Sequence, residues 1–344
     1  MTDVVLLTGA TGFVGSAVAR SLLAAGFHVR ALVRATSRLD NLRGLDVERV
    51  VGDVRTPQTL LAACTGCRGV FHVAADYRLW APDPATIYAS NVAGSTNVLR
   101  AAAQAGVGRI VYTSSVATLG LHADGTPADE DTPVLLSEMA GDYKRSKFLA
   151  EQCVREIAAK DGLDVVIVNP AAPVGPRDIR PTPTGRMILD AARGRMPAYV
   201  DTGLDIVHVD DVAAGHLLAY ERGVAGRRYV LGGENLTLRD ILGRVARLSG
   251  RREPWLRLPH AAVLPMAWLA ERWATVGKGE PLVTLAGARL ARHRMFFSHA
   301  RAERELGYRA RPAQQGIADA LAWFEANGDL HLHEHRGAAV GTGS

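Results

Sequence analysis

Tyr143-Lys-Arg-Ser-Lys147 places a phenol and an ammonium four residues apart. On a helix, positions i and i+4 share a face, so the two polar heads can meet. A phenol with an ordinary pKa of about 10 is a weak base at neutral pH, and a fixed cation beside it favours the phenolate. Such a pair can carry a proton to or from the oxygen of an alcohol or a ketone. The spacing alone recurs on many helix surfaces, and its meaning comes from what precedes it.

The chain opens with the apolar run Val4-Val-Leu-Leu-Thr8, then Gly9-Ala-Thr-Gly-Phe-Val-Gly15, and residues 16–25 read as a helix. Strand, glycine-rich turn and helix in this order are the setting that a dinucleotide-binding loop requires. Gly9 permits a sharp turn, Gly12 clears room for a pyrophosphate and Gly15 lets the helix approach the sheet. Thr11, Phe13 and Val14 complete the loop, where free N–H groups and the positive helix end receive phosphates. The next strand, residues 28–33, ends at Arg34 rather than at an acidic residue. A carboxylate there would bind a ribose 2′-hydroxyl and repel a 2′-phosphate; an arginine does the reverse, with Arg38, Thr36 and Ser37 close in sequence. The expected cofactor is NADP, with NAD still open.

From Val4 to about residue 330 the chain resembles an extended short-chain dehydrogenase/reductase, of the NAD-dependent epimerase/dehydratase family. The resemblance implies that Asp53 and Val54, in Val51-Gly-Asp-Val54, lie at the adenine. It implies that Ala74 and Ala75, in Phe71-His-Val-Ala-Ala75, pass beside the cofactor. Ser115, in Ile110-Val-Tyr-Thr-Ser-Ser115, binds the reacting oxygen, with Thr113 nearby. If Ser115 faces the site, strand alternation turns Ser114 away. Asn91, opening a helix over residues 92–105, is expected to hold a proton-relay water, and Asn169 and Pro170 to end the sixth strand at the cofactor. Lys147 is expected to steady the Tyr143 phenolate and to bind the cofactor ribose.

Three loops bring the chain closer to the hopanoid-associated sugar epimerases: Ala74-Ala-Asp-Tyr-Arg-Leu-Trp-Ala-Pro-Asp83, Pro170-Ala-Ala-Pro-Val-Gly-Pro-Arg-Asp178 and Arg180-Pro-Thr-Pro-Thr-Gly185. The arginine after the second strand and the proline in the sixth also resemble dihydroflavonol and cinnamoyl-type reductases. The resemblance therefore implies Tyr-Lys-Ser hydride chemistry at a secondary alcohol or ketone. One outcome is epimerisation of a sugar, such as a nucleotide-sugar, in hopanoid lipid biosynthesis; another is net NADPH-dependent carbonyl reduction. An NADP-binding sensor or scaffold that turns over nothing is a third. Asp76, Tyr77, Arg78, Trp80, Arg177 and Arg292 are the expected substrate contacts.

Strand-length apolar runs alternate with helical patterns up to Pro170, which reads as an α/β fold with a doubly wound parallel Rossmann sheet. Residues 1–172 are assigned to an NADP-binding domain with return segments near 205–235. Residues 173–330 are assigned to a smaller, partly discontinuous substrate lobe and 331–344 to a disordered tail, where His331, His333 and His335 suggest no metal site. In this chain of 344 residues with net charge +5, four of the 40 basic residues are lysine, and arginines and acids interleave. No basic block or zinc-ligand spacing points to nucleic acid. Cys64-Thr-Gly-Cys67 lacks a thioredoxin context, no signal peptide is read, and the expected compartment is the cytoplasm. The segment 260–273, with Trp268 and Trp273, is interrupted by Pro265, Glu271 and Arg272 and does not read as a membrane span. Peripheral membrane contact there, and a homodimer, stay open.

Overall fold

The computed structural model describes residues 3–78, 81–277, 287–288 and 291–331. Its strands are β1 (Val4–Thr8), β2 (His28–Val33), β3 (Glu48–Val51), β4 (Gly69–His72), β5 (Arg109–Thr113), β6 (Val165–Pro170), β7 (Ala172–Val174), β8 (Ala198–Val200), β9 (Gly203–His208), β10 (Arg228–Leu231), β11 (Glu234–Thr237), β12 (Leu256–Leu258) and β13 (Arg294–Met295). Helices α1 (Phe13–Ala24), α2 (Leu60–Cys64), α3 (Ala85–Tyr88), α4 (Gly94–Gln104), α5 (Gly141–Asp161), α6 (Pro183–Ala192), α7 (Val209–Arg222), α8 (Leu238–Ser249) and α9 (His260–Gly277) connect or cover them.

Seven strands form one sheet in the order β3-β2-β1-β4-β5-β6-β10, and every neighbouring pair is parallel. Alternation within β1 explains why both faces need cover. Val5 and Leu7 enter the core beneath α1 and α7, and Leu6 enters the core under α2, α4 and α5. Buried on both faces, β6 is apolar through Val165-Val-Ile-Val168. The strand order reverses between β1 and β4, and in such sheets the crevice at the carboxyl ends of the two strands is the ligand site.

After β6 the chain begins a second sheet, in which β9 pairs with β7, β11 and β13. It then returns to the first: α7 packs on α1, and β10 becomes the seventh strand. Val174, Ile188, Leu189, Ile206, Ile241 and Phe324 belong to the separate core of this lobe. In α9, Met266 is 54% and Trp268 49% exposed, while Ala267 is buried. Among the described residues no helix is long and apolar enough to cross a membrane. Cys64 and Cys67 are free and buried, and burial pushes the Cys64 thiol up to about 12, which makes it a poor redox nucleophile. Trp80 and residues 332–344 lie outside the described residues.

Candidate active site

At the end of β1 the backbone turns through Gly9, whose φ is 76°. A Cβ there would lie 2.7 Å from the amide nitrogen of Ala74, so β1 and the loop after β4 meet without side chains between them. A Cβ on Gly15 would lie 2.0 Å from the carbonyl oxygen of Gly9. Gly12 is the N-cap of α1, no side chain caps the helix and no acid occupies its first turn. Its first N–H groups are therefore offered to an external anion. Asn41 braces the loop from behind, its amide reaching the carbonyls of Thr11 at 3.3 Å and Gly12 at 3.5 Å. This cradle, which a Cβ would fill, fits a dinucleotide pyrophosphate along Gly12, Phe13 and Val14.

Arg34 stands exposed just beyond β2, in a turn where its N–H donates to Ser37 Oγ at 3.2 Å. Arg38, expected beside it, is paired with Asp40 at 2.9 Å. The Arg55 guanidinium holds Asp53 below the usual carboxylate range, and Val54 packs against Gly94.

Helix α5 carries Tyr143 and Lys147 on one face toward the end of β5. The Ser115 hydroxyl lies beside the Tyr143 phenol and favours its ionised form. Ser115 Oγ also accepts the Ala117 N–H at 3.1 Å, so its own proton stays available for a phenolic or substrate oxygen. Lys147 is 2% exposed; Nζ donates to the Thr113 carbonyl at 2.7 Å and stands 5.0 Å from the Tyr112 ring centroid. Burial pulls its ammonium down to about 8, opposed by the Glu151 carboxylate. The phenolate expected at Tyr143 is not what this arrangement favours: desolvation pushes the phenol up and only partly yields to Ser115. The ammonium is spent on a carbonyl, and burial outweighs it. A neutral phenol is the form that donates a proton.

Three expectations need correction. Asn91 is buried, and its amide is occupied: Oδ1 accepts the Asp76 N–H at 2.7 Å, while Nδ2 donates to the Asp76 carbonyl and to Ser146 Oγ, both at 2.9 Å. It sits in a π-turn over Ala89–Ala93 and staples the loop after β4 to α5, so holding a relay water does not fit. Thr113 turns its hydroxyl to His216 at 2.8 Å, away from the crevice. Asn169 points inward, donating to the Ser115 carbonyl at 3.0 Å and to Glu151 at 3.1 Å, and Pro170 lies in register with Leu231 of β10. Ser114 is buried and donates to Glu151.

At the rim, Asp76 and Arg78 pair at 2.6 Å, and Tyr77 is 42% exposed. Arg177 goes elsewhere. Its φ is 77°, its carbonyl accepts from Asn41 at 3.3 Å and its guanidinium pairs with Asp210. It ties the loop after β7 to the glycine turn instead of facing a substrate. Arg292 is exposed ahead of β13.

Residues 5–232 match the NAD dependent epimerase/dehydratase family. The chain belongs to that family. A Synechocystis sp. protein carrying a provisional dihydroflavonol 4-reductase name is 45% identical over 95% of this chain and 96% of its own. Sterol demethylase protein B of Methylococcus capsulatus is 38% identical over 94% of this chain and 98% of its own. The crystal structure of a protein called gox2253 superposes with a TM-score of 0.87 at 52% identity, covering 96% of this chain and all, 100%, of that one. The protein is thus an NAD(P)-dependent enzyme of the epimerase/dehydratase family with a Rossmann sheet.

In this epimerase/dehydratase-family chain two further residues, His72 and Glu151, belong to the site although no motif singles them out. His72 joins Thr8 Oγ1 at 2.7 Å and Ser95 Oγ at 3.0 Å beneath the crevice, and burial pushes its imidazole down to about 3. It is a neutral brace between β1, β4 and α4. Glu151, four residues beyond Lys147, could have been found by continuing the i+4 spacing one more turn along α5.

Proposed function

We propose that the protein is a cytoplasmic NADPH-dependent reductase of a ketone. The observation that carries the reading is Arg34, exposed at the carboxyl end of β2 in the place where an acidic residue would select NAD. There an arginine favours a 2′-phosphate, and cells keep NADP largely reduced. The reductase name of the Synechocystis relative supports the same direction. When bound, the cofactor supplies a hydride to the carbonyl carbon. The chain supplies the rest. The Ser115 hydroxyl orients the carbonyl oxygen, the Tyr143 phenol gives it a proton, and the Lys147 ammonium steadies the phenolate left behind. Epimerisation of a sugar, the second reading, is favoured by the name of the matched family and uses the same three residues in both directions with no net cofactor consumption.

Replacing Arg34 with Asp is expected to move the ratio of kcat/KM for NADPH over NADH by about 10- to 100-fold toward NADH, the worth of one charge-assisted contact. Steady-state kinetics with both cofactors would measure it, and an unchanged ratio would remove the phosphate assignment.

The sterol in the name of the Methylococcus relative and the uncovered apolar side chains of this lobe support a lipid-derived substrate met at a membrane surface. Trp255 is 82% exposed, and Arg272 stacks 5.1 Å from the Trp268 ring centroid, a pairing suited to an anionic headgroup layer. Wild-type protein is expected to co-sediment with phosphatidylglycerol vesicles, and Trp268→Ser to co-sediment about threefold less at equal ionic strength. Equal partition of the two would take α9 out of the contact.

A further inference from the structure

We infer that Glu151 is a positioning residue of this site: its carboxylate fixes the backbone that presents Ser115 and sets a negative charge one helical turn from the Lys147 ammonium. Glu151 is 4% exposed. Its Oε2 accepts from Ser114 Oγ, from Thr118 Oγ1 at 2.9 Å and from Asn169 Nδ2 at 3.1 Å. Two of these donors also lie against Ser115 itself: Thr118 Oγ1 shares its one proton between Glu151 and the Ser115 carbonyl, 2.8 Å away, and Asn169 Nδ2 gives its second proton to that carbonyl at 3.0 Å. One carboxylate on α5 therefore ties together the turn after β5, strand β6 and the helix that carries Tyr143 and Lys147. Arg228 of β10 meets the other oxygen, Oε1, at 3.3 Å, so the ion pair and the Ser115 scaffold use different atoms of the same group.

The chemistry calls for a carboxylate here. A carboxylate only accepts, and it faces four donors; an amide in its place would turn a donor toward one of them. Its charge also matters to Lys147. The ionisable groups around that ammonium are Tyr112 from β5, His72 from β4, and Tyr143 and Glu151 from α5 itself, with Arg228 from β10 facing Glu151. Burial keeps Tyr112 and His72 neutral through the physiological range, which leaves Glu151 to oppose the desolvation of Lys147.

The kinetic arm of the test rests on the reductase reading, and a titration arm does not. With dihydroquercetin as the probe ketone, Glu151→Gln is expected to lower kcat about 10-fold or more, with NADPH affinity held within about twofold. The alkaline limb of the wild-type rate, set where Lys147 loses its proton, is expected to move down by about one pH unit. Thr118→Val keeps the charge and removes one grip on Ser115; it is expected to lower kcat without moving that limb. Independently of any substrate, the Tyr143 ionisation is read at 295 nm in the NADP⁺ complex by subtracting the matching Tyr143→Phe spectrum. Both variants are expected to raise it by loosening Ser115, whose hydroxyl favours the phenolate. A wild type that leaves dihydroquercetin untouched would count against the reductase reading alone. An unmoved Tyr143 titration in either folded variant would overturn the role of Glu151, and if Glu151→Gln does not fold, Thr118→Val decides.

Discussion

Tyr143→Phe is expected to bind NADPH with wild-type affinity and to lose carbonyl reduction by about 10²- to 10⁴-fold, the usual worth of a placed proton donor. The two halves follow from different parts of the molecule. Cofactor affinity is built by the glycine turn, the free end of α1 and Arg34, and none of these touches the phenol. Turnover needs a proton at the carbonyl oxygen as hydride arrives, and Ser115 alone cannot supply it. Its hydroxyl is anchored by the Ala117 N–H at 3.1 Å, and a serine is a far weaker acid than a phenol. Because burial holds the phenol protonated, the reductive direction is expected to run through neutral pH. It should fade above about 8, where Lys147 gives up its proton: the depressed ammonium is charged below that value and neutral above it. Stopped-flow reduction together with fluorescence titration of NADPH separates the two halves. Near-normal turnover by the phenylalanine variant would remove Tyr143 from the chemistry.

The sequence disclosed what repeats along the chain and hid what comes together across it. Glycine spacing, the apolar runs and the Tyr-Lys pair are local, and they placed the crevice and the catalytic helix. Partnerships of polar side chains are not local. Nothing in the sequence says that Asn169 faces Ser115 and Glu151 and not the cofactor, because which end of β6 meets which turn depends on the stagger of β5 on β6. The position of Arg177 in the loop after the sixth strand points, on sequence alone, to a substrate contact. The structure spends it on Asp210 and Asn41, using a left-handed backbone that no residue type announced. The charge state of Tyr143 is hidden from the sequence for a related reason. Spacing shows that a cation is near, whereas desolvation is set by everything packed around the pair.

Gly15→Ala is expected to be the most damaging single methyl in the protein, and the contrast with Gly12→Ala explains why. The added carbon on Gly15 would sit 2.0 Å from the Gly9 carbonyl oxygen and 2.6 Å from its carbon, backbone atoms that have nowhere to retreat. The Gly9 turn is itself pinned, since its own missing Cβ lies 2.7 Å from Ala74 N. Relief therefore means pushing α1 off β1 or β1 off β4, which opens the main core under Val5, Leu7, Val18 and Leu22. Overpacking of this kind costs about 1–3 kcal/mol or more, which for a chain of this size is several degrees of melting temperature. The same shift carries away the helix end that receives the phosphates, so NADPH affinity is expected to fall by more than about 100-fold. On Gly12 the added carbon would meet only the Gly9 carbonyl oxygen, at 3.3 Å, so the fold has little to yield. The methyl instead stands where the pyrophosphate would approach. Gly12→Ala is accordingly expected to melt within about 2 °C of wild type while binding NADPH at least about tenfold more weakly. Calorimetry and fluorescence titration of both variants make the comparison. Equal melting temperatures for the two would mean that the turn is slack enough to take a side chain, and the cradle argued from its glycines would go with it.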